Sequence, residues 1–118
     1  MKYELYQPEI LDQGMPKAHI DAVTKAMLNA DVQEAVEMGL YRHVANVHAT
    51  GLVSAFWVGN TGPNESIERL DRMMSISVGH ILVDEDRKAH VVASYGFEPV
   101  PGFPPADVSE AGPERMKL

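Results

Sequence analysis

The chain has 118 residues, 45% hydrophobic and 23% charged, which fits a single globular domain. Ten basic against seventeen acidic residues give a net charge of −7, which argues against a nucleic-acid partner because phosphate neutralisation dominates such affinity. The absence of cysteine excludes disulfides, thiolate nucleophiles, Cys-ligated zinc and iron–sulfur clusters.

No apolar run approaches the roughly 18–20 residues that span a bilayer, and MKYELYQPEILDQGM has no apolar block of the secretory type. We therefore expect a soluble, acidic, cytoplasmic protein with no membrane contact. Lys2–Tyr6 reads as a short edge strand. Pro16 suits the first turn of a helix, and Ile20, Val23, Met27 and Ala30 recur at helical spacing. Asp31 with Glu34 has the form of a capping box that restarts a helix, and Gly39 is placed to end it. Residues 16–39 are thus expected as two helices with a bend, or one kinked helix.

From Leu40 the period changes. Tyr41–Ala49 and Leu52–Val58 read as a hairpin around Thr50-Gly51, although a helix through residues 40–50 also fits the spacing of Val44 and Val47. Gly59–Asn64 is a loop, and Ile67, Leu70 and Met74 give Ser66–Met74 a helical stripe. Ser75–Val83 and Lys88–Tyr95 flank Asp84-Glu85-Asp86-Arg87 as a second hairpin, with Leu82 opposite Ala89 and His80 opposite Val91. Beyond Phe97, five prolines imply an extended, polyproline-like arm. The expected architecture is an α+β two-layer sandwich in the order β-α-α-β-β-α-β-β. It has a mostly antiparallel sheet, helices on one face, a body of residues 1–96 and an arm of residues 97–118.

Motifs that carry chemistry are mostly missing. There is no G-x-G-x-x-G after a strand, no Walker A, no G-x-S-x-G and no H-E-x-x-H, so no cofactor is expected. Asp84-Glu85-Asp86 lacks the remaining spacing of a calcium loop. The five histidines offer no local metal pair; His43 and His48, five apart, lie on opposite faces of a strand. His43 and His80 are more informative, because in the expected register each interrupts an apolar strand face. A polar group there needs a hydrogen-bond partner or a ligand. With Tyr41 and Tyr95 on the same faces, these four side chains form the candidate ligand-binding set beneath the helices.

The other sheet face, with Val44, Val53, Trp57, Ile81, Val83 and Val92, is more apolar than a monomer leaves wet. Either the arm or another subunit is expected to cover it, and the arm, anchored by Phe97 and Phe103, is expected to pack on its own domain or to reach across to a neighbour. The leading expectation is a homo-oligomeric binding or assembly protein that holds a small molecule between sheet and helices. The alternative is a small cofactor-independent isomerase, lyase or hydratase using His80 or His43 as general acid or base.

Overall fold

The structure, a computed structural model, describes residues 1–104. Among these, β1 (Lys2–Pro8), β2 (Tyr41–His48), β3 (Ile67–Arg69), β4 (Ile81–Val83), β5 (Ala89–Val92) and β6 (Phe97–Pro99) form one sheet. Its order is β3-β2-β1-β4-β5-β6, and every neighbouring pair is antiparallel. The helices are α1 (Lys17–Asn29), α2 (Gln33–Glu37) and α3 (Leu52–Thr61). The α+β class and its antiparallel sheet are as expected. No described helix is long and apolar enough to cross a membrane.

The layering differs from a single helical cover. Ile81 and Val83 of β4 pack with Ala22, Val23 and Ala26 of α1, whereas Leu82 packs with Leu5, Val47 and Ala55 of α3. All three β4 side chains are fully buried. Successive side chains of a strand point to opposite faces, so α1 and α2 cover one face and α3 covers the other. The expectation of helices on one face is corrected accordingly.

Four local readings are also corrected. β1 is central, between β2 and β4, rather than an edge. The segment expected as the second strand of the first hairpin is α3. Its inward stripe is small: Ala55 and Gly59 are buried, while Val53 and Trp57 are exposed. Gly59 lets the helix lie so close that an added Cβ would sit 2.3 Å from Ile76 Cδ1. The Ser54 hydroxyl accepts the Gly51 N–H at 3.0 Å and so satisfies one donor at the helix start. Residues 66–74 are not a helix; Asn64–Ser66 make a 3₁₀ turn, and β3 then pairs with β2.

The hairpin between β4 and β5 forms one residue out of the expected register, with Leu82 opposite His90 and Ile81 opposite Val91. Arg87 takes a left-handed φ of 63°, and the Asp84 N–H donates to the Lys88 carbonyl, so the turn holds one more residue than a two-residue loop. This one-residue shift moves Leu82 and Ala89 to opposite faces.

Two expectations at the helices fare differently. Val32 caps the start of α2 without a side-chain hydrogen bond, and Glu34 instead pairs with Lys25 of α1 at 3.1 Å. Gly39, with φ of 69°, does end α2, and the Leu40 N–H returns to the Ala35 carbonyl. The chain does not leave the body at Phe97: β6 extends the sheet, Val100 is buried, and the Phe103 ring meets Tyr6 edge-on at 5.0 Å. The rest of the expected arm, residues 105–118, lies outside the described residues.

Between β3 and β4 the chain crosses the α3 side of the sheet, held by two side-chain amides. Gln7 Nε2 donates to the Met74 carbonyl at 2.7 Å, and the Met74 N–H donates to Gln7 Oε1 at 2.9 Å. Asn60 clamps Ile76 in the same two-sided way, at 3.1 and 2.6 Å. Each amide stands in for a ladder partner, so the half-buried Met74 and the buried Ile76 keep their backbone groups paired outside any strand.

Candidate functional site

The four residues expected to share a cavity do not converge. Tyr95 is 94% exposed, on the turn between β5 and β6. His43 and His80 lie on opposite sides of the sheet. His43 stacks on Tyr6 with ring centroids 4.9 Å apart, whereas His80 Nδ1 lies 3.3 Å from Gln7 Nε2. Tyr6 and Gln7 are consecutive in β1, so their side chains diverge to the two faces. Tyr41 is engaged by the backbone, its hydroxyl donating to the Gly79 carbonyl at 2.5 Å. Burial pushes the Tyr41 phenol well above its usual range.

His80 is a filled-core residue. It is fully buried, and Nδ1 accepts the Ser77 N–H at 3.1 Å. An accepting Nδ1 places the proton of the neutral ring on Nε2. That Nε2 has no hydrogen-bond partner among the described residues. Burial lowers the His80 pKa from 6.5 to about 4, so the ring is neutral at physiological pH. Its neighbour Gly79 has φ of 92° and lies against α1, where an added Cβ would be 2.4 Å from the Ala26 carbonyl oxygen. The Ser77–His80 turn is therefore built for packing.

His43 belongs to a continuous polar track across β3, β2 and β1. Asn46 Nδ2 donates to Glu68 Oε1 at 2.9 Å, and Asn46 Oδ1 lies 2.8 Å from His43 Nε2. Beyond the stacked His43–Tyr6 pair, the Tyr6 hydroxyl donates to Glu4 Oε1 at 3.0 Å, and Arg87 holds the same oxygen at 2.9 Å. His43 and Asn46 are three residues apart and would diverge in a regular strand. The register shift between Leu5 and Tyr6 puts them on one face, because Glu4 opposes Asn46 while Tyr6 opposes His43.

The track fixes its own proton positions. A carboxylate only accepts, so the Asn46 NH₂ group must face Glu68. Asn46 Oδ1 then faces His43 and requires a donor, which places the His43 proton on Nε2. His43 Nδ1 is left as the acceptor, and it has no hydrogen-bond partner among the described residues. On the other arm, burial works against ionisation of Glu4, but hydrogen bonds from Arg87 and Tyr6 hold its carboxyl below the usual carboxylate range. Burial, reinforced by the Glu4 charge, pushes the Tyr6 phenol up to about 12 and keeps it protonated. His43 is half-buried, and Glu68 and His48 at the β3 side are exposed, so this end of the face meets solvent.

Of the expected set, only His43 stands in a constellation with chemical capacity. Glu4, Tyr6, Asn46, Glu68 and Arg87 were not singled out in the sequence. The alternation of Glu4 and Tyr6 in a strand was the one local signal for them. No described group of three or more histidine, aspartate or glutamate residues is arranged to hold a metal ion. The chain matches no family model, no curated protein and no solved structure.

Proposed function

We propose that the protein binds a small polar molecule at the solvent-facing end of the polar track and moves a proton on it through His43 Nδ1. The observation that carries this reading is the Glu68–Asn46–His43 chain, in which a third group orients the amide that orients the base. Imidazole suits proton transfer near neutral pH, and Tyr6 with Arg87-bound Glu4 supplies a phenol and a fixed charge beside it. With no cysteine and no nucleophile motif, the matching reactions are isomerisation, elimination or hydration, in a cytoplasmic setting.

The test is solvent-deuterium uptake into a panel of small carbonyl and hydroxy compounds, with wild type beside His43→Gln. Uptake that depends on His43 is expected. Long-range ¹H–¹⁵N spectra should show His43 with its proton on Nε2. A proton on Nδ1, or uptake unchanged in the variant, refutes the proposal.

A second reading, self-association, is favoured by the outer side of α3. Val53 and Trp57 are 63% and 58% exposed. Val53 lines a groove of about 250 Å³ together with Phe56, Val92 and Phe97, and the Trp57 ring meets Phe56 edge-on at 5.6 Å. The expected subunit contact through a sheet face at Trp57 thus becomes a contact through a helix. Phe103 supports it less, because that ring is packed against its own chain. Sedimentation at micromolar concentration should give a dimer or larger species that Trp57→Lys returns to monomer. A strictly monomeric wild type refutes it.

A further inference from the structure

A second cleft lies across the other end of the sheet, between the β4–β5 turn and the segment that follows β6. Its volume is about 340 Å³, within the range of small-molecule sites. In a protein of net charge −7 its lining is unusual. Among the described residues, the titratable ones on its walls are Arg87, Lys88 and His90, with no acidic one. Its remaining walls are apolar and include Val100 and Phe103.

The two permanent cations, Arg87 and Lys88, are not both neutralised from within. Arg87 gives its NH1 nitrogen to Glu4, and His90 Nε2 lies 3.1 Å from Asp84 Oδ2. Asp84 also accepts the backbone N–H groups of Asp86 and Lys88. The Lys88 ammonium makes no ion pair among the described residues. The floor is held in place: the Val100 N–H donates to the Ala89 carbonyl at 3.0 Å, and the Phe103 ring is fixed edge-on against Tyr6. A concave site with fixed apolar walls and cations on one side matches a ligand with a hydrocarbon body and one anionic group.

We propose that this cleft binds a small organic anion, an aryl or short alkyl carboxylate or phosphate, with its charge at Lys88 and Arg87 and its body against Val100 and Phe103. The site is separate from the solvent-facing end at His43, since the Tyr6 ring stands between His43 and Phe103. The proposal does not depend on proton transfer there.

The test is a ¹H–¹⁵N titration of the full chain with benzoate, phenyl phosphate, inorganic phosphate and neutral benzamide, to ~10 mM, the affinity range of fragment-sized ligands. Saturable shifts confined to residues 87–90 and 99–103 are expected for at least one aryl anion. Benzamide and inorganic phosphate, each lacking one half of the match, should bind at least about fivefold more weakly. Lys88→Gln, a surface change that leaves the fold intact, should weaken the aryl anion by a similar factor. Absence of saturable shifts overturns the proposal, as do shifts that map elsewhere, equal binding of benzamide, or no effect of Lys88→Gln.

Discussion

Acid should destabilise this protein through one imidazole. His80 is fully buried and its Nδ1 accepts the Ser77 N–H, so protonation would place a proton where a donor already points. Its pKa is lowered from 6.5 to about 4 by burial. Between those values the unfolded chain binds a proton that the folded chain refuses, so stability is complete above about pH 6.5 and falls as pH drops toward 4. At about 1.4 kcal/mol per pH unit, the loss over the window is about 3 kcal/mol, as an upper bound for this one group. The matched variant is His80→Asn. An asparagine Oδ1 can stand where Nδ1 stands and accept the Ser77 N–H, but it does not titrate. It should lose about 1–3 kcal/mol at pH 7 from the vacated ring volume. Urea melts of both proteins at pH 7, 6, 5 and 4.5, followed by far-ultraviolet circular dichroism, give the two curves. Carboxylates held by hydrogen bonds, such as Glu4 and Asp84, contribute equally to both and cancel in the difference. Parallel curves for wild type and variant would refute the argument.

Three further outcomes follow from the packing. Gly79→Ala should cost at least about 2 kcal/mol because it meets the Ala26 carbonyl and a left-handed φ together; Gly102→Ala, with φ of 81° and open space around it, should cost only about 1 kcal/mol in thermal or urea melts. Gln7→Leu should lose about 1–3 kcal/mol by urea melting, since it removes the partner of both backbone groups of the half-buried Met74. A chain ending at Gly96 loses β6, Val100 and the Phe103 ring, so it should melt markedly lower than the full chain; an unchanged melting temperature would show that residues from Phe97 onward do not belong to the core.

The class of fold was legible because short apolar, β-branched runs mark Ile81–Val83 and Ala89–Val92, and helical spacing marks Ile20, Val23 and Met27. α3 was misread because its pattern is inverted. Its fully buried positions are the small Ala55 and Gly59, while Phe56 and Val58 pack only partly buried against the core and Val53 and Trp57 face outward. Propensity and hydrophobicity both favoured a strand, and tertiary approach to Ile76 decided otherwise. The register of the β4–β5 hairpin turned on Arg87 adopting a left-handed conformation, which no feature of the residue type announces. His43 was recognised as an anomaly, but its partners were not. Asn46 joins it only through the β1–β2 irregularity, and Glu68 only through a strand that read as a helix. His80 was equally conspicuous in sequence, and its polarity answers to Ser77 and Gln7 in a turn.

The two rims of the sheet bear on how the protein behaves at high concentration. β3 and β6 are each only three residues long. β3 carries the charged pair Glu68 and Arg69. β6 carries Glu98 and ends in Pro99, which has no N–H to offer a neighbouring strand. Long, flat, unpaired rims template fibrils, and short rims with charge and proline resist them. A neighbour arriving edge-on would find almost no ladder to extend, although the central strands are rich in valine and isoleucine. Crowded solutions of the folded protein should accordingly stay free of cross-β aggregates, and fibrillation should set in only under conditions that unfold it.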